Sequence, residues 1–431
     1  MLTLLITLDC VRADYVLKPA ADTPVLDAFR RECVTFTRAV SHTNTTLPSH
    51  VTMFTGRLLP EHGVVHNFYK PSGESFTLTE GLAGAGIESA GFVGTQFLEC
   101  LYASRLNGED PFYDLPESRI LRGVLRRLGL RGTRRTASAT LDAALAWIRS
   151  RAGLPSFCWA HLFDTHMDYL AGEPWKTRYE VPEGKSKAPL GEILQERGWT
   201  AYHPVQKELR EADYYLRMYP AAVSSTDDLL GRFFRTLRVL GLWEEALIVV
   251  TADHGENLLE HGVYCGHPLL FDETIRVPLL VKFPGNEYAG RVVHAPVGHE
   301  DLAPTILALR GAPPCGGAGI DLRRHLNGGG SRKPRALLAF HNKMFQGSVR
   351  RGDRTWIENL DISDVKPEHR LLYEETGLFD VAGRPIDEPD TAAALSSILH
   401  AYLKRTGSDE KAEAVEDEDI KAQLRGLGYM E

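Results

Sequence analysis

Short apolar runs recur along most of the chain: "LTLLITL" (2–8), "ESAGFVG" (88–94), "PSFCWAHL" (155–162), "ALIVVTA" (246–252) and "VPLLVKF" (277–283). Between them lie stretches with helical spacing, such as "ATLDAALAWIRSR" (139–151) and "STDDLLGRFFRTLRVLG" (225–241), the second opened by a Ser/Thr/Asp capping signal. Strands that alternate with helices predict an α/β fold, a doubly wound and mostly parallel sheet covered on both faces. The pattern changes near residue 326. "NGGGSRKP" (327–334) reads as a break, and "ALLAFHN", "GSVRRGDRTWIEN" and "LLYEETGLFDV" after it read as strands. We therefore expect a catalytic α/β domain over 1–326 and a small C-terminal antiparallel α+β domain over 327–431, with "SDEKAEAVEDED" (408–419) as a solvated segment before a terminal helix.

Composition narrows the classes. At 431 residues, 43% hydrophobic and 25% charged, the chain has ample core material for a globular protein. Its net charge of −8 argues against a general binder of nucleic-acid polymers. The six cysteines (10, 33, 100, 158, 265, 315) show no CxxC pair, which fits thiols in a reducing compartment; we expect a cytoplasmic protein. "MLTLLITLD" meets Asp9 too early to serve as a signal segment. No stretch approaches the roughly 20 apolar residues of a membrane span. One segment runs against the overall charge: "SRILRGVLRRLGLRGTRRT" (118–136) carries arginines and no acid. It reads equally as a solvated insertion and as a patch that steers anions or touches anionic lipid.

In a doubly wound sheet, ligands sit beyond the carboxyl ends of the strands. Asp9 follows the first run, Asp164 and His166 the third, and Asp253 and His254 the fourth. A loop carboxylate is the ordinary reading of any one of them, but three such groups at one sheet edge predict a shared site. Hard oxygen donors, imidazoles and an activated hydroxyl are what metal chemistry on an anionic ester needs. A candidate hydroxyl lies in "NTTLPSHVTMFTGRLLPEHGV" (44–64), where Thr46 stands two residues before Pro48. It reads as a nucleophile or as a helix cap with Pro48 in the first turn. The two roles are compatible, because a helix N-terminus also favours an anion.

In order along the chain come "LLITLDCVRADYV", "TTLPSHVTMFTGRLLPEHGV", "HLFDTHMDY", "VVTADHGENLLEHGVYCGHPLLFDETIRVPLLVKFPG", "DLAPTILALRGAPP" and "LRGLGYM". On these motifs the chain resembles the sulfatase family within the alkaline phosphatase superfamily, from the first strand to the last residues. The resemblance implies a divalent metal ion (Zn, Mn or Ca) held by Asp9, Thr46, Asp253 and His254. It further implies that Thr46 attacks phosphorus or sulfur in line and leaves a covalent threonyl ester for water to cleave.

Several positions depart from a typical sulfatase. The family signature begins with a Cys or Ser that is oxidised to formylglycine and continues x-Pro-Ser-Arg, whereas this chain reads Thr46-Leu47-Pro48-Ser49-His50. The tandem aspartates of the first strand are reduced to Asp9-Cys10, the lysine of the "GK" turn is His267, and no Gly-Lys-Trp-His stretch is present. Thr-x-Pro-x-His followed by Thr-Gly resembles nucleotide pyrophosphatase/phosphodiesterases, and a single Asp with Thr and Asp-His resembles lipoteichoic-acid synthases. In the phosphodiesterase branch His267 matches a histidine of a second metal site, with Asp164, His166 or Asp168 as co-ligands. His50, His166 and His267 are alternatively donors to the non-bridging oxygens or acids for the leaving group. His42, His62, His66, His161 and His261 carry no motif and are read as structural.

The expected function is hydrolysis of a small anionic phosphate or phosphonate ester, mono- or diester. Sulfate-ester hydrolysis without formylglycine, transfer of a phospho-alcohol group, and an inactive binding module are the alternatives. Membrane association through 118–136 and assembly into oligomers are left open. Specificity is expected to reside in the loops 65–135 and 167–215.

Overall fold

A computed structural model describes residues 1–18, 20–67, 69–70, 77–95, 98, 101, 135–167, 169–179, 212–263, 265–326, 335–365, 370, 373–406 and 413–414. Its strands are β1 (Leu2–Leu8), β2 (Val34–Val40), β3 (Tyr69–Lys70), β4 (Glu88–Val93), β5 (Ser156–Leu162), β6 (Leu247–Ala252), β7 (Arg276–Lys282), β8 (Val292–Gly298), β9 (Ala336–Phe340), β10 (Gln346–Arg351), β11 (Arg354–Asn359), β12 (Gly377–Phe379) and β13 (Glu413–Ala414).

The longest apolar runs lie at the centre of a seven-stranded sheet of order β4-β5-β1-β6-β7-β2-β8. Every residue of β1, β5 and β6 is buried, as expected of strands covered on both faces. β1 pairs in parallel with both β5 and β6, so the residues that follow these strands emerge at one edge. β7 runs antiparallel to β6 and to β2, which makes the sheet mixed while leaving it mostly parallel. Two strands, β2 and β8, went unnoticed in the hydrophobic pattern. "VTFTRAV" is interrupted by Thr37 and Arg38, where the register slips between Phe36 and Ala39, and "VVHAPVG" lies at the sheet margin and is only partly buried.

The helix expected over 225–241 spans Ala212–Val239 instead, with Pro220 inside it. The upstream turns continue the same buried face through Tyr215, Leu216, Tyr219 and Val223. The capping signal at Ser225-Thr226-Asp227 therefore lies mid-helix, and its carboxylate caps a different helix. Asp227 accepts the N–H groups of Val25 (2.9 Å) and Leu26 (2.8 Å) at the start of Pro24–Arg30, whose own N-cap, Thr23, provides no side-chain bond.

A second, antiparallel sheet of order β12-β11-β10-β9 carries the helix Pro389–Arg405 on one face. Leu395, Leu399 and Tyr402 pack against Phe340, Val349 and Leu378, and this core also takes in Leu58 and Leu59 from the large unit. Gly347 lets the helix approach, since a Cβ there would stand 2.9 Å from Leu399. β13 pairs with β3. The break at 327–334, most of the arginine-rich stretch (118–134), Asp168 and the terminal helix expected after 419 lie outside the described residues. Among the described residues, no helix is long and apolar enough to cross a membrane.

Candidate active site

Asp9 leaves β1 at the carboxyl edge, where its N–H donates to Leu162 O (2.9 Å) and its carbonyl accepts from Thr165 Oγ1 (2.6 Å). Asp253 and His254 leave the neighbouring β6 at the same edge. Asp9, Asp253 and His254 are fully buried, and one ligand atom from each gathers within 4.8 Å of the others. Asp253 Oδ1 accepts the N–H groups of Cys10 (3.1 Å) and His254 (2.8 Å), whereas Oδ2 accepts no hydrogen bond and lies 3.5 Å from His254 Nε2. Burial, and next the charge of Asp9, push the Asp253 carboxyl above its usual range.

The third element is the helix Thr46–Thr55. Thr45 is its N-cap and Thr46 its first residue, so the Thr46 hydroxyl is not consumed as a cap. Capping comes from a distance, because Leu47 N–H donates to Asn67 Oδ1 (2.8 Å). The Thr46 hydroxyl oxygen lies 3.3 Å from His254 Nε2. His254 Nδ1 lies 2.9 Å from the Gly255 carbonyl, which can only accept. The proton of the neutral ring is thereby placed on Nδ1 and the lone pair on Nε2, toward Thr46. Ser49 Oγ donates to the Asp253 carbonyl (2.7 Å) and ties this helix to the β6 end.

The histidines divide. His267 stands against His254 with ring centroids 4.3 Å apart, its Nδ1 2.6 Å from the Asn44 carbonyl. His166 stacks on Phe163 at 4.4 Å and forms a donor group with Asp9 and Cys10. His50, read from the sequence as a substrate contact, has both ring nitrogens occupied by protein. Nδ1 donates to Thr46 O (2.7 Å), and Nε2 meets Thr7 Oγ1 (3.1 Å), which itself accepts from Trp159 Nε1 (2.9 Å). Burial holds this ring down to about 3, so it is a neutral brace for the first turn of the helix.

Asp164 departs further from its expected role as a ligand of a second ion. Its Oδ1 accepts Ala137 N–H (3.0 Å) at the start of Ala137–Ser150, a helix whose Thr136 side chain caps it as well. No donor group among the described residues contains Asp164; Cys10, His166 and His267 occupy those groups instead.

Two contributors were missed. His161 was read as structural, yet its Nε2 donates to Asp9 Oδ2 (3.1 Å) from a buried ring that desolvation lowers to about 4. The signal was available in the pleat, since Thr7 aligns with His161 and Asp9 lies two residues beyond Thr7 on the same face. Cys10 was noted only as a missing aspartate. It is fully buried at φ +59°, with Sγ 3.0 Å from Asp9 Oδ1.

These residues fit a divalent cation. Two buried carboxylates repel each other, Asp253 Oδ2 accepts no hydrogen bond, and His254 has its lone pair turned to the same point.

Comparison with known proteins gives the family and the fold. The ulvan-active sulfatase of Formosa agariphila is 25% identical over 362 residues, covering 77% of this chain and 66% of that protein. The multifunctional alkaline phosphatase superfamily protein PehA of Trinickia caryophylli is 25% identical over 380 residues, covering 72% and 73%. Among solved structures, a phosphonate monoester hydrolase of Silicibacter pomeroyi superposes with a TM-score of 0.71 at 21% identity, covering 96% of this chain and 99% of its own. The solved structure of a different protein, BT4656, in complex with its substrate D-glucosamine-2-N,6-O-disulfate, gives 0.71 at 17% identity over 95% of this chain and 98% of its own. These two likenesses establish the fold. The family model described as Sulfatase matches residues 2–312, and the chain belongs to the sulfatase family.

Proposed function

We propose that the chain is a metal-dependent hydrolase of phosphate or phosphonate esters that works through a covalent threonyl intermediate at Thr46. The observation that carries this reading is the Thr46 hydroxyl at the start of a buried helix, 3.3 Å from His254 Nε2 and beside the Asp9–Asp253–His254 donor group. Asp9, Thr46, Asp253 and His254 would hold a divalent ion, which when bound would lower the pKa of the Thr46 hydroxyl and offset charge on the ester oxygens. The hydroxyl loses its proton as the Oγ–P bond forms and the ester P–O bond breaks, and the departing alkoxide takes up a proton. Water then cleaves the threonyl ester and restores Thr46. In this reading His166 and His267, whose ring nitrogens lie in donor groups beside Asp9 and His254, move those protons, and the positive end of the helix dipole favours the anion.

Sulfate-ester hydrolysis is the second reading, favoured by the ulvan-active relative. The side chains argue for phosphorus. A formylglycine hydrate expels sulfate through its second hydroxyl, and Thr46 has none, so a threonyl sulfate would have to await slow attack by water. Turnover of paired aryl phosphate, bis-aryl phosphate, phosphonate and sulfate esters with a metal series after chelation tests the choice. Thr46→Ala should lose several orders of magnitude in turnover while staying folded and metal-loaded. Near-normal rates in that variant would reduce Thr46 to a helix residue, and a wide preference for sulfate would overturn the phosphoryl reading.

A further inference from the structure

We propose that Cys10 supplies a thiolate ligand to this centre, giving it a mixed oxygen, nitrogen and sulfur donor set suited to zinc. The inference rests on the reading of Asp9, Asp253 and His254 as a metal site and adds a ligand, and with it a metal class, to that site.

The argument begins with position. The described residues form three donor groups, each with its ligand atoms inside 4.8 Å: Asp9, Asp253 and His254; Asp9, Cys10 and His166; and Cys10, His254 and His267. Cys10 joins two of the three and shares Asp9 with one neighbour group and His254 with the other. Around a tetrahedral zinc, bonds of roughly 2.0–2.3 Å leave ligand atoms about 3.4–3.6 Å apart. Cys10 Sγ donates to Asp9 Oδ1 at 3.0 Å, so ligation would exchange this hydrogen bond for two metal bonds and move the atoms apart by roughly half an ångström.

A second line comes from the backbone. Cys10 sits at φ +59°, a left-handed conformation costly for a residue with a Cβ. Three contacts enforce it. Cys10 N–H donates to Asp253 Oδ1 (3.1 Å), Tyr219 Oη donates to Cys10 O (2.7 Å), and the same Tyr219 oxygen accepts Arg12 N–H (3.0 Å). The turn thus spends a ligand carboxylate's lone pair and a buried tyrosine on holding Cys10 where its sulfur meets Asp9. Asp253 Oδ2, buried and accepting no hydrogen bond, marks the same point as wanting a cation. Of the five free cysteines described, Cys33, Cys158, Cys265 and Cys315 belong to no donor group.

The chemistry follows from donor softness. Thiolate with imidazole and carboxylate suits zinc and its spectroscopic substitute cobalt(II), while calcium and magnesium take oxygen donors. Ligation exchanges the S–H bond for an S–metal bond, and the proton leaves to solvent.

Cobalt(II) reconstitution of the chelated full chain tests this without reference to turnover. Wild type and Thr46→Ala should both show thiolate-to-cobalt charge-transfer absorption in the near ultraviolet beside the visible d–d bands. Cys10→Ser should keep the d–d bands and lose the charge transfer, whereas Cys265→Ser should keep both. In competition titrations Cys10→Ser should lose zinc affinity relative to manganese by at least the roughly 10- to 100-fold that removal of an outer-shell partner costs. Cobalt bound by wild type without charge transfer, or charge transfer that survives Cys10→Ser, overturns the assignment. If no variant at position 10 folds, X-ray absorption of zinc-loaded wild type decides, with a sulfur at about 2.3 Å expected and an all-nitrogen-and-oxygen shell overturning it. Failure of wild type to bind cobalt at all would overturn the metal centre itself, a result distinct from cobalt bound without sulfur.

Discussion

Asp9 and Asp253 at the sheet edge, and Glu300 and Asp301 beneath the helix Thr46–Thr55, are both pairs of buried carboxylates, and the protein treats them oppositely. Glu300 and Asp301 receive an internal cation: Arg335 donates to Asp301 Oδ1 (2.7 Å) and to Glu300 Oε1 (2.5 Å). Glu300 also meets His42 Nε2, where burial lifts the acid while lowering the imidazole to about 4. Asp9 and Asp253 instead meet histidines, His161 Nε2 at 3.1 Å from Asp9 and His254 Nε2 at 3.5 Å from Asp253. A structural acid pair carries its own counter-ion, and a functional one leaves the position for a ligand. Glu273 and Glu375 form an intermediate case, bridged by His261, whose charge depends on pH.

The largest effect should come from Asp253→Ala, which leaves Asp9 and His254 with too few donors. Turnover should fall on the order of 10⁴-fold, and elemental analysis should find the bound metal lost. Unchanged metal content would break the contrast at its functional end.

Arg335→Met tests the structural end. It strands two buried carboxylates and should cost about 3 kcal/mol in urea unfolding, the lower end for a broken buried pair because the arginine side chain is 24% exposed. The loss should be the same with and without divalent ions.

The sharper comparison is Asp253→Asn in the presence of a chelator. Its side-chain oxygen can still accept from Cys10 and His254, while repulsion with Asp9 disappears. The metal-free variant should be at least as stable as metal-free wild type. Added metal should then raise the wild-type midpoint only, since an ion that binds the folded state stabilises it by mass action. A variant clearly less stable than wild type under chelation would show that the carboxylate serves the fold.

The smallest effect concerns His261. Burial works against its charged form, but Glu273 and Glu375 outweigh this and raise its pKa. A raised folded value means the stabilisation is complete below the ordinary value of about 6.5 and is lost as pH rises through the folded value. Because Glu375 is largely exposed, the contribution should be only about 0.5–1 kcal/mol. It should appear as a difference in the pH dependence of unfolding between wild type and His261→Gln, and parallel curves would remove His261 from the comparison.

The legible parts of this molecule are those whose cause is local. β1, β5 and β6 were readable because strands buried on both faces must be apolar throughout, and the groups behind them because a parallel sheet collects strand ends at one edge. What was hidden depends on partners distant in sequence. Asp227 looks like a cap for its own helix and caps Pro24–Arg30. Asp164 looks like a ligand at a strand end and caps Ala137–Ser150. A carboxylate within reach of a helix start takes its free N–H groups wherever that helix sits in the chain, and sequence spacing does not report which start is nearest. His161 was hidden for the opposite reason, as one polar residue in a buried strand whose role depends on the facing register.

The contact between His42 and β9 has a bearing on how such a chain can be recombined. His42 O accepts Phe340 N–H (2.8 Å), its Nδ1 meets Leu338 O, and two residues on, Asn44 Oδ1 accepts Asn342 N–H (3.1 Å) while Asn44 O meets His267 Nδ1. The lead-in to the helix Thr46–Thr55 is therefore stitched along the margin of the small sheet. The small sheet is consequently not an exchangeable cassette. A graft from a relative that replaced everything after residue 334 would separate Arg335 from Glu300 and Asp301, and β9 from His42, so positions 42, 44, 300, 301 and 335 pass between chimeras as one linked set.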